Sequence, residues 1–332
     1  MPRIVPSNER TIQEAAATLR AGGVIAFPTE TVYGLGACTF NETAIDHVYE
    51  LKGRPADNPL IAHVLDVIQA REVVAAGAWD ARCDELSRRF WPGPLTLVLP
   101  KSTGVSDRAT AGRPTVAVRA PRHAMAQALL EAVGEPISAP SANRSGRVSP
   151  TSAQHVLDEF AKVAEARDLL ILDGGECEVG IESTVLDLTA APPRPPQILR
   201  HGSVTLEQLR EVLGEIAAPE VGAQSASPGT SSTHYAPRTP AELVAGEHVQ
   251  SAMRRLGEQG QCGVALVFEP SMVKPPHKAI AMPRDCRRYA HDLYQRLREA
   301  DGMGCDRIII ESPPQTSQVW RAVHDRLRRA TA

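Results

Sequence analysis

Aromatic side chains make up only 4% of the 332 residues, so Val, Leu, Ile and Ala must fill most of any core. Neither sign of charge dominates: 36 basic residues against 39 acidic ones leave a formal charge of -3. A chain that lives on a nucleic-acid backbone carries a basic excess or stripe. RNA binding is thereby disfavoured as the primary activity. No apolar run approaches the roughly 20 residues needed to cross a bilayer. Met1 to Arg10 lacks the apolar stretch of a secretory signal, so a cytoplasmic location without membrane attachment is expected. Cys38, Cys83, Cys177, Cys262, Cys286 and Cys305 are scattered, with no C-x-x-C pair. That spacing argues against a disulfide scaffold and a zinc ribbon, and predicts buried free thiols. Also missing are the G-x-x-x-x-G-K-[ST] phosphate loop, H-E-x-x-H and G-x-S-x-G, and Gly34-Leu35-Gly36 lacks the third glycine of a dinucleotide fingerprint. Any ATP chemistry must use another architecture.

What is present alternates between helical and extended patterns. Ile12, Ala15, Ala16 and Leu19 fall at helical spacing before Gly22-Gly23, and Val24 to Pro28 reads as a short buried strand. Asn41 predicts the cap of a helix carrying Ile45, Val48 and Tyr49. Strands are expected at Pro59 to Val64, Leu95 to Leu99, Thr115 to Arg119, Leu169 to Leu172, Val179 to Leu188 and Gln197 to Arg200, with a helix through Met125, Leu129 and Ala132. Thr205 and Gln208 spell a capping box. This mixing predicts a layered α/β domain over residues 1–213. The composition then turns to Ala, Ser, Pro, Gly and Thr without periodicity, which reads as a linker over 214–239. Residues 240–332 return to strand and helix patterns, predicting a small second α/β domain.

Polar segments collect at the ends of the apolar strands. In Pro28 to Gly36, Thr29, Thr31 and Tyr33 bring hydroxyls, and the glycines predict a sharp turn close to a ligand. In Lys52-Gly53-Arg54, two cations end a helix, where they either cap its carbonyls or recognise phosphate. His63 follows on a strand. In Thr115 to Arg119, alternation puts Thr115 and Arg119 on one face and Val116 and Val118 on the other. A cation buried there needs a partner, either a bound carboxylate or an internal Asp or Glu. Ser138 to Gly146, with Ser149 beyond, offers small residues and neutral hydrogen-bonding groups. Gly180 to Val185 and Ile198 to Gly202 follow, then Ser227-Pro228-Gly229 and His234-Tyr235-Ala236-Pro237 inside the linker.

In this order and spacing, PTETVYGLG, KGRP..NPL, FWPGPLTLVLP, SAPSANRSG and GIESTVLDL resemble the YrdC-type L-threonylcarbamoyl-adenylate synthases, in the long form with a C-terminal domain. The resemblance spans nearly the whole chain. It implies an open, twisted mixed α/β sheet with helices around a deep, positively lined cavity, plus a smaller Rossmann-like α/β domain. It implies that Lys52, Arg54, Ser141 and Asn143 engage ATP, with Asn58, Thr115, Ser149 and Arg200 lining the same site. Thr31, His63, Arg119, Ala139 and Ser183 match the L-threonine site, with Arg119 on the substrate carboxylate. The linker is expected to close over the cavity and bring Tyr235 to the nucleotide. One departure stands out: Thr230-Ser231-Ser232-Thr233 replaces a segment that carries two cations in the family pattern.

The implied reaction forms threonylcarbamoyl-AMP and pyrophosphate from L-threonine, bicarbonate or CO2, and ATP, with the product passed to transfer-RNA modification. Lys52 and Arg54 are the expected catalytic cations, with Mg2+ carried on the ATP phosphates rather than by protein side chains. No general base is evident. Three rivals remain: an RNA-binding protein of the same fold, a hydrogenase-maturation carbamoyltransferase, and a non-catalytic module for threonine or nucleotide. The carbamoyltransferases carry zinc-finger pairs that this chain lacks.

Overall fold

Side-chain caps start most helices of the chain, and period-two apolar patterns make its strands. The computed structural model describes residues 1–190, 194–217, 235–315 and 317–332, in two units. The first comprises Met1–Ser145 and resumes at Pro150; the second takes Gly146–Ser149 and the C-terminal part of the chain to Ala332.

The first unit has strands β1 (Arg3–Val5), β2 (Ile25–Phe27), β3 (Gly34–Cys38), β4 (Ile61–His63), β5 (Leu95–Pro100), β6 (Thr115–Arg119), β7 (Ile137–Ala139), β8 (Leu170–Leu172), β9 (Thr184–Asp187) and β10 (Gln197–Arg200). Its helices are α1 (Glu9–Arg20), α2 (Glu42–Lys52), α3 (Val67–Val73), α4 (Ala81–Phe90), α5 (Asp107–Thr110), α6 (Ala124–Val133), α7 (Ala153–Phe160) and α8 (Leu206–Leu213). Asn8 and Thr205 each head a reciprocal capping box, and the Asn41 side chain accepts from the Ala44 amide. The strands form one mixed sheet in the order β1-β8-β2-β3-β7-β4-β6-β5-β9-β10.

Alternation sorts this sheet into faces. Ala62, Leu97, Leu99, Val116, Val118 and Leu186 point into the main core with α2, α3, α4 and α7. On the other face, Ile25, Phe27, Ile137, Leu170 and Leu172 pack against Ala15, Ala16 and Leu19 of α1 and Leu129 and Leu130 of α6. Further along, that face offers only strand residues: Ile61, Val98, Ala117 and Val185, with Leu199 against them. His63 and Arg119 continue this face, two residues beyond Ile61 on β4 and Ala117 on β6.

The second unit has strands β11 (Ala241–Val244), β12 (Gly263–Val267), β13 (Lys278–Ala281) and β14 (Arg307–Glu311), with helices α9 (Val249–Glu258), α10 (Cys286–Gly302) and α11 (Gln318–Ala330). Its strands are all parallel, in the order β11-β14-β12-β13. Ile308, Ile309 and Ile310 are wholly buried, as two-sided cover of a parallel sheet requires.

Three readings are corrected. Gly34 and Gly36 lie in β3 and not in a turn. A Cβ at Gly36 would come within 2.6 Å of Ile137 Cγ2 and 2.7 Å of Phe27 Cε1, so the glycine serves close packing. The strand expected from Val179 to Leu188 is formed only at Thr184–Asp187, because the residues before it turn to build the site. Cys262 and Cys305 are paired as a disulfide, Cα atoms 4.8 Å apart, and only Cys38, Cys83, Cys177 and Cys286 are free. Their separation of 43 in sequence hides the pairing, which arises because one precedes β12 and the other the adjacent β14.

Candidate active site

The turn between β2 and β3 buries Thr29, Glu30 and Thr31, each 1% exposed. Thr29 Oγ1 donates to the Val32 carbonyl at 2.6 Å and lies 2.9 Å from Thr31 Oγ1. Arg119, at the end of β6, donates from Nη1 to Thr31 Oγ1 at 2.9 Å and from Nε to the Gly93 carbonyl at 3.2 Å. Its Nη2 forms an ion pair with Glu30 at 2.5 Å. The internal carboxylate partner is thus real.

Parallel pairing of β4 with β6 sets His63 beside Arg119. His63 Nδ1 lies 3.1 Å from the Ile61 carbonyl, and Phe27 meets the ring edge-on at 5.6 Å. Burial first, then the Arg119 charge, pushes the imidazole pKa down to about 3. The ring is neutral at physiological pH. Ala139 is the register partner of Ile61 on the other side of β4. Thr115 shares the Arg119 face of β6 but sits four residues away, about 13 Å along the strand.

After Ala139 the chain lies along β3: Leu35 N donates to Pro140 O, and Ala142 N to Tyr33 O. Lys52, the last residue of α2, reaches into this loop and is wholly buried. Its ammonium donates to Ser141 O at 2.7 Å, Asn143 O at 2.8 Å and Asn143 Oδ1 at 3.2 Å, with Ser141 Oγ at 3.4 Å. Burial, then the nearby Arg54 charge, holds its pKa well below the usual lysine value. Gly53 allows this by taking the left-handed conformation (φ 61°) that ends α2. Arg54 turns the other way, donating from Nε to Asn58 O at 2.9 Å and from Nη2 to Asn58 Oδ1 at 2.6 Å and Pro59 O at 2.9 Å. Neither cation caps the helix through its side chain in these bonds. Tyr33 is likewise committed, donating to Gly175 O at 2.7 Å.

Arg200, ending β10, donates from Nε to Ser183 O at 3.1 Å and from Nη2 to Ser183 Oγ at 3.0 Å. Thr96 Oγ1 is 2.8 Å from the same Ser183 hydroxyl. Gly202 permits this crossing: a Cβ there would fall 2.3 Å from Thr184 N.

The first unit therefore brings Thr31, His63, Arg119 and Ala139 together, lays the Lys52, Ser141 and Asn143 loop alongside, links Arg54 to Asn58, and joins Ser183 to Arg200. Ser149 is buried and groups with the second unit. Tyr235, also there, is 1% exposed and stacks on Tyr294 at 5.5 Å, with the Arg326 guanidinium 5.8 Å from its ring centre. Of the expected lid over 214–239, residues 218–234, with Thr230 to Thr233 and His234, fall outside the described residues. Sequence reasoning missed Glu30, Gly93 and Thr96. A carboxylate inside an otherwise apolar and hydroxyl-bearing segment was the available signal for Glu30.

The family model described as "Telomere recombination", for the Sua5, YciO and YrdC proteins, matches residues 17–202. The one described as "Threonylcarbamoyl-AMP synthase, C-terminal domain" matches residues 204–332. Threonylcarbamoyl-AMP synthase of Pyrococcus abyssi is 40% identical over 334 residues, covering 97% of this chain and 94% of that protein. The Bacillus subtilis enzyme of the same name is 41% identical over 334 residues, covering 98% and 94%. The crystal structure of P. abyssi Sua5 complexed with L-threonine matches with a TM-score of 0.89 and 37% identity, covering 100% of this chain and 97% of that one. With both of its domains matched and its relatives aligned nearly end to end, the chain belongs to the threonylcarbamoyl-AMP synthase family.

Proposed function

We propose that this protein is a nucleotidyltransferase that makes L-threonylcarbamoyl-AMP and pyrophosphate from L-threonine, bicarbonate or CO2, and ATP, for threonylcarbamoyl-adenosine modification of transfer RNA. The observation that carries the reading is the adjacency of two polar clusters on one sheet, in a chain whose relative was crystallised with L-threonine. Arg119, Thr31 and His63 form an amino-acid end, and the loop held by Lys52 forms an anion end beside it.

In this reading the threonine carboxylate meets Arg119, and the amine captures CO2 to give an N-carboxylate. That oxygen attacks the α-phosphorus of ATP in line and expels pyrophosphate. Such a displacement needs positioning and charge neutralisation more than a covalent nucleophile. Lys52 has three N–H groups facing four protein oxygens, so it acts through its charge and through the loop it holds. Arg54 and Arg200 add positive charge, and Asn58, Thr115, Ser141, Asn143, Ser149 and Tyr235 complete the proposed nucleotide set. Ala139 and Ser183 complete the threonine set. Mg2+ enters on the ATP phosphates and supplies further neutralisation. Among the described residues no group of three or more His, Cys, Asp or Glu gathers to hold a metal. Nor is any helix there long and apolar enough to cross a membrane.

The test is pyrophosphate release from ATP and Mg2+, with and without L-threonine and bicarbonate. Release that requires both, with L-serine a poorer substrate, supports the reading. No release from folded protein that still binds threonine would leave a non-catalytic binding module.

A further inference from the structure

Glu30 is the buried carboxylate paired with Arg119 at the amino-acid end, and the mechanism above gives it nothing to do. It is 1% exposed, and its oxygens meet no hydrogen-bond donor among the described residues beyond the ion pair with Arg119. The pair is held within a turn whose proton order is fixed. A carbonyl only accepts, so the single Thr29 hydroxyl proton goes to Val32 O. In the Thr29–Thr31 contact, Thr31 must then be the donor. Thr31 Oγ1 in turn accepts from Arg119 Nη1. Its proton is spent, and what it can still offer a ligand is a lone pair.

This order decides what each group can read. Thr31 cannot donate to a carboxylate, but it can accept from an amine. Arg119 has five N–H groups. Gly93 O, Thr31 and Glu30 take one each, which leaves two for a substrate carboxylate. Glu30 cancels the Arg119 charge, and His63 beside them is neutral. The cluster carries no net charge, which suits a zwitterion and penalises a simple anion.

Resting on the proposed placement of threonine at this end, we propose that Glu30 and Thr29 are positioning residues that make an α-amine obligatory: Glu30 by neutralising and aiming Arg119, Thr29 by turning Thr31 into an acceptor. Neither touches the substrate. Together they reject carboxylates that carry the threonine side chain without its amine.

The experiment is calorimetric titration of the full-length protein with L-threonine and with (R)-3-hydroxybutyrate, its des-amino counterpart. The native protein is expected to prefer threonine by at least about 100-fold, as sites built around a substrate N–H do. Glu30→Gln should lower that ratio by about tenfold or more, by weakening threonine and sparing or improving hydroxybutyrate. Glu30→Asp, which keeps the charge, should restore most of it. A purely structural role would weaken both ligands together, so an unchanged ratio in folded Glu30→Gln overturns the proposal. If Glu30→Gln does not fold, Thr29→Val carries the test, because it leaves the ion pair intact and frees the Thr31 proton. It should lower the ratio several-fold, about the worth of one hydrogen bond, and an unchanged ratio there also overturns the proposal. A native protein that binds no threonine at all would instead refute the functional reading beneath it.

Discussion

The imidazole of His63 carries a pH signature. Its pKa falls from the ordinary 6.5 to about 3 on folding, because burial and Arg119 disfavour the charged ring. Between those values the unfolded chain binds a proton that the native state does not. Stability is therefore lost as pH falls through that window, by about 1.4 kcal/mol per unit from this group alone. His63→Gln should flatten the acid limb of a urea-denaturation series between about pH 6.5 and pH 4; an identical slope would refute the assignment. Lys52 makes a different forecast. Truncation to alanine strands the Ser141 and Asn143 carbonyls, at about 1–3 kcal/mol each. In Lys52→Ala that still folds, pyrophosphate release should drop by at least about 100-fold. Near-normal turnover would remove Lys52 from the mechanism.

At the scale of elements, short strands end in the site and caps fix where they end. Asn41 heads α2, whose last residue is Lys52, so the cap and the cation share one rigid rod. Asn41→Ala should cost about 1 kcal/mol in a denaturation midpoint while leaving the Michaelis constant for threonine unchanged. Gly202 tells the opposite story. Gly202→Ala would push a methyl into the backbone N of Thr184, the first residue of β9, and shift Ser183 just before it. A loss of about 1–3 kcal/mol together with weaker substrate binding is expected, read by melting and by titration. Legibility follows the same lines. Strands such as β6 and helices with plain caps were visible in the sequence, because alternation and capping are local signals. The β7 strand, Ile137–Ala139, was not, because Pro136 and Pro140 bracket a segment with one large apolar residue, and it pairs only through partners distant in the chain.

For the whole molecule, two units with separate cores predict more than one unfolding transition. Tyr235 belongs to the second, clamped between Tyr294 and Arg326. Tyr235→Ala should therefore lower the transition of the C-terminal unit by about 3 kcal/mol or more, seen as a split calorimetric trace. A single unshifted transition would contradict that anchoring. What the sequence by itself determined was the alternating α/β architecture, the change of composition after residue 213, and the polar segments that mark this family. These depend on neighbours in the chain. Tertiary structure alone decided that Arg119 meets Glu30 as well as Thr31, that Lys52 is spent on the Ser141 to Asn143 loop, and that Cys262 meets Cys305. Each is a pairing across adjacent strands or loops far apart in sequence, set by register and burial, and no local pattern encodes which partner a buried charge or thiol will find.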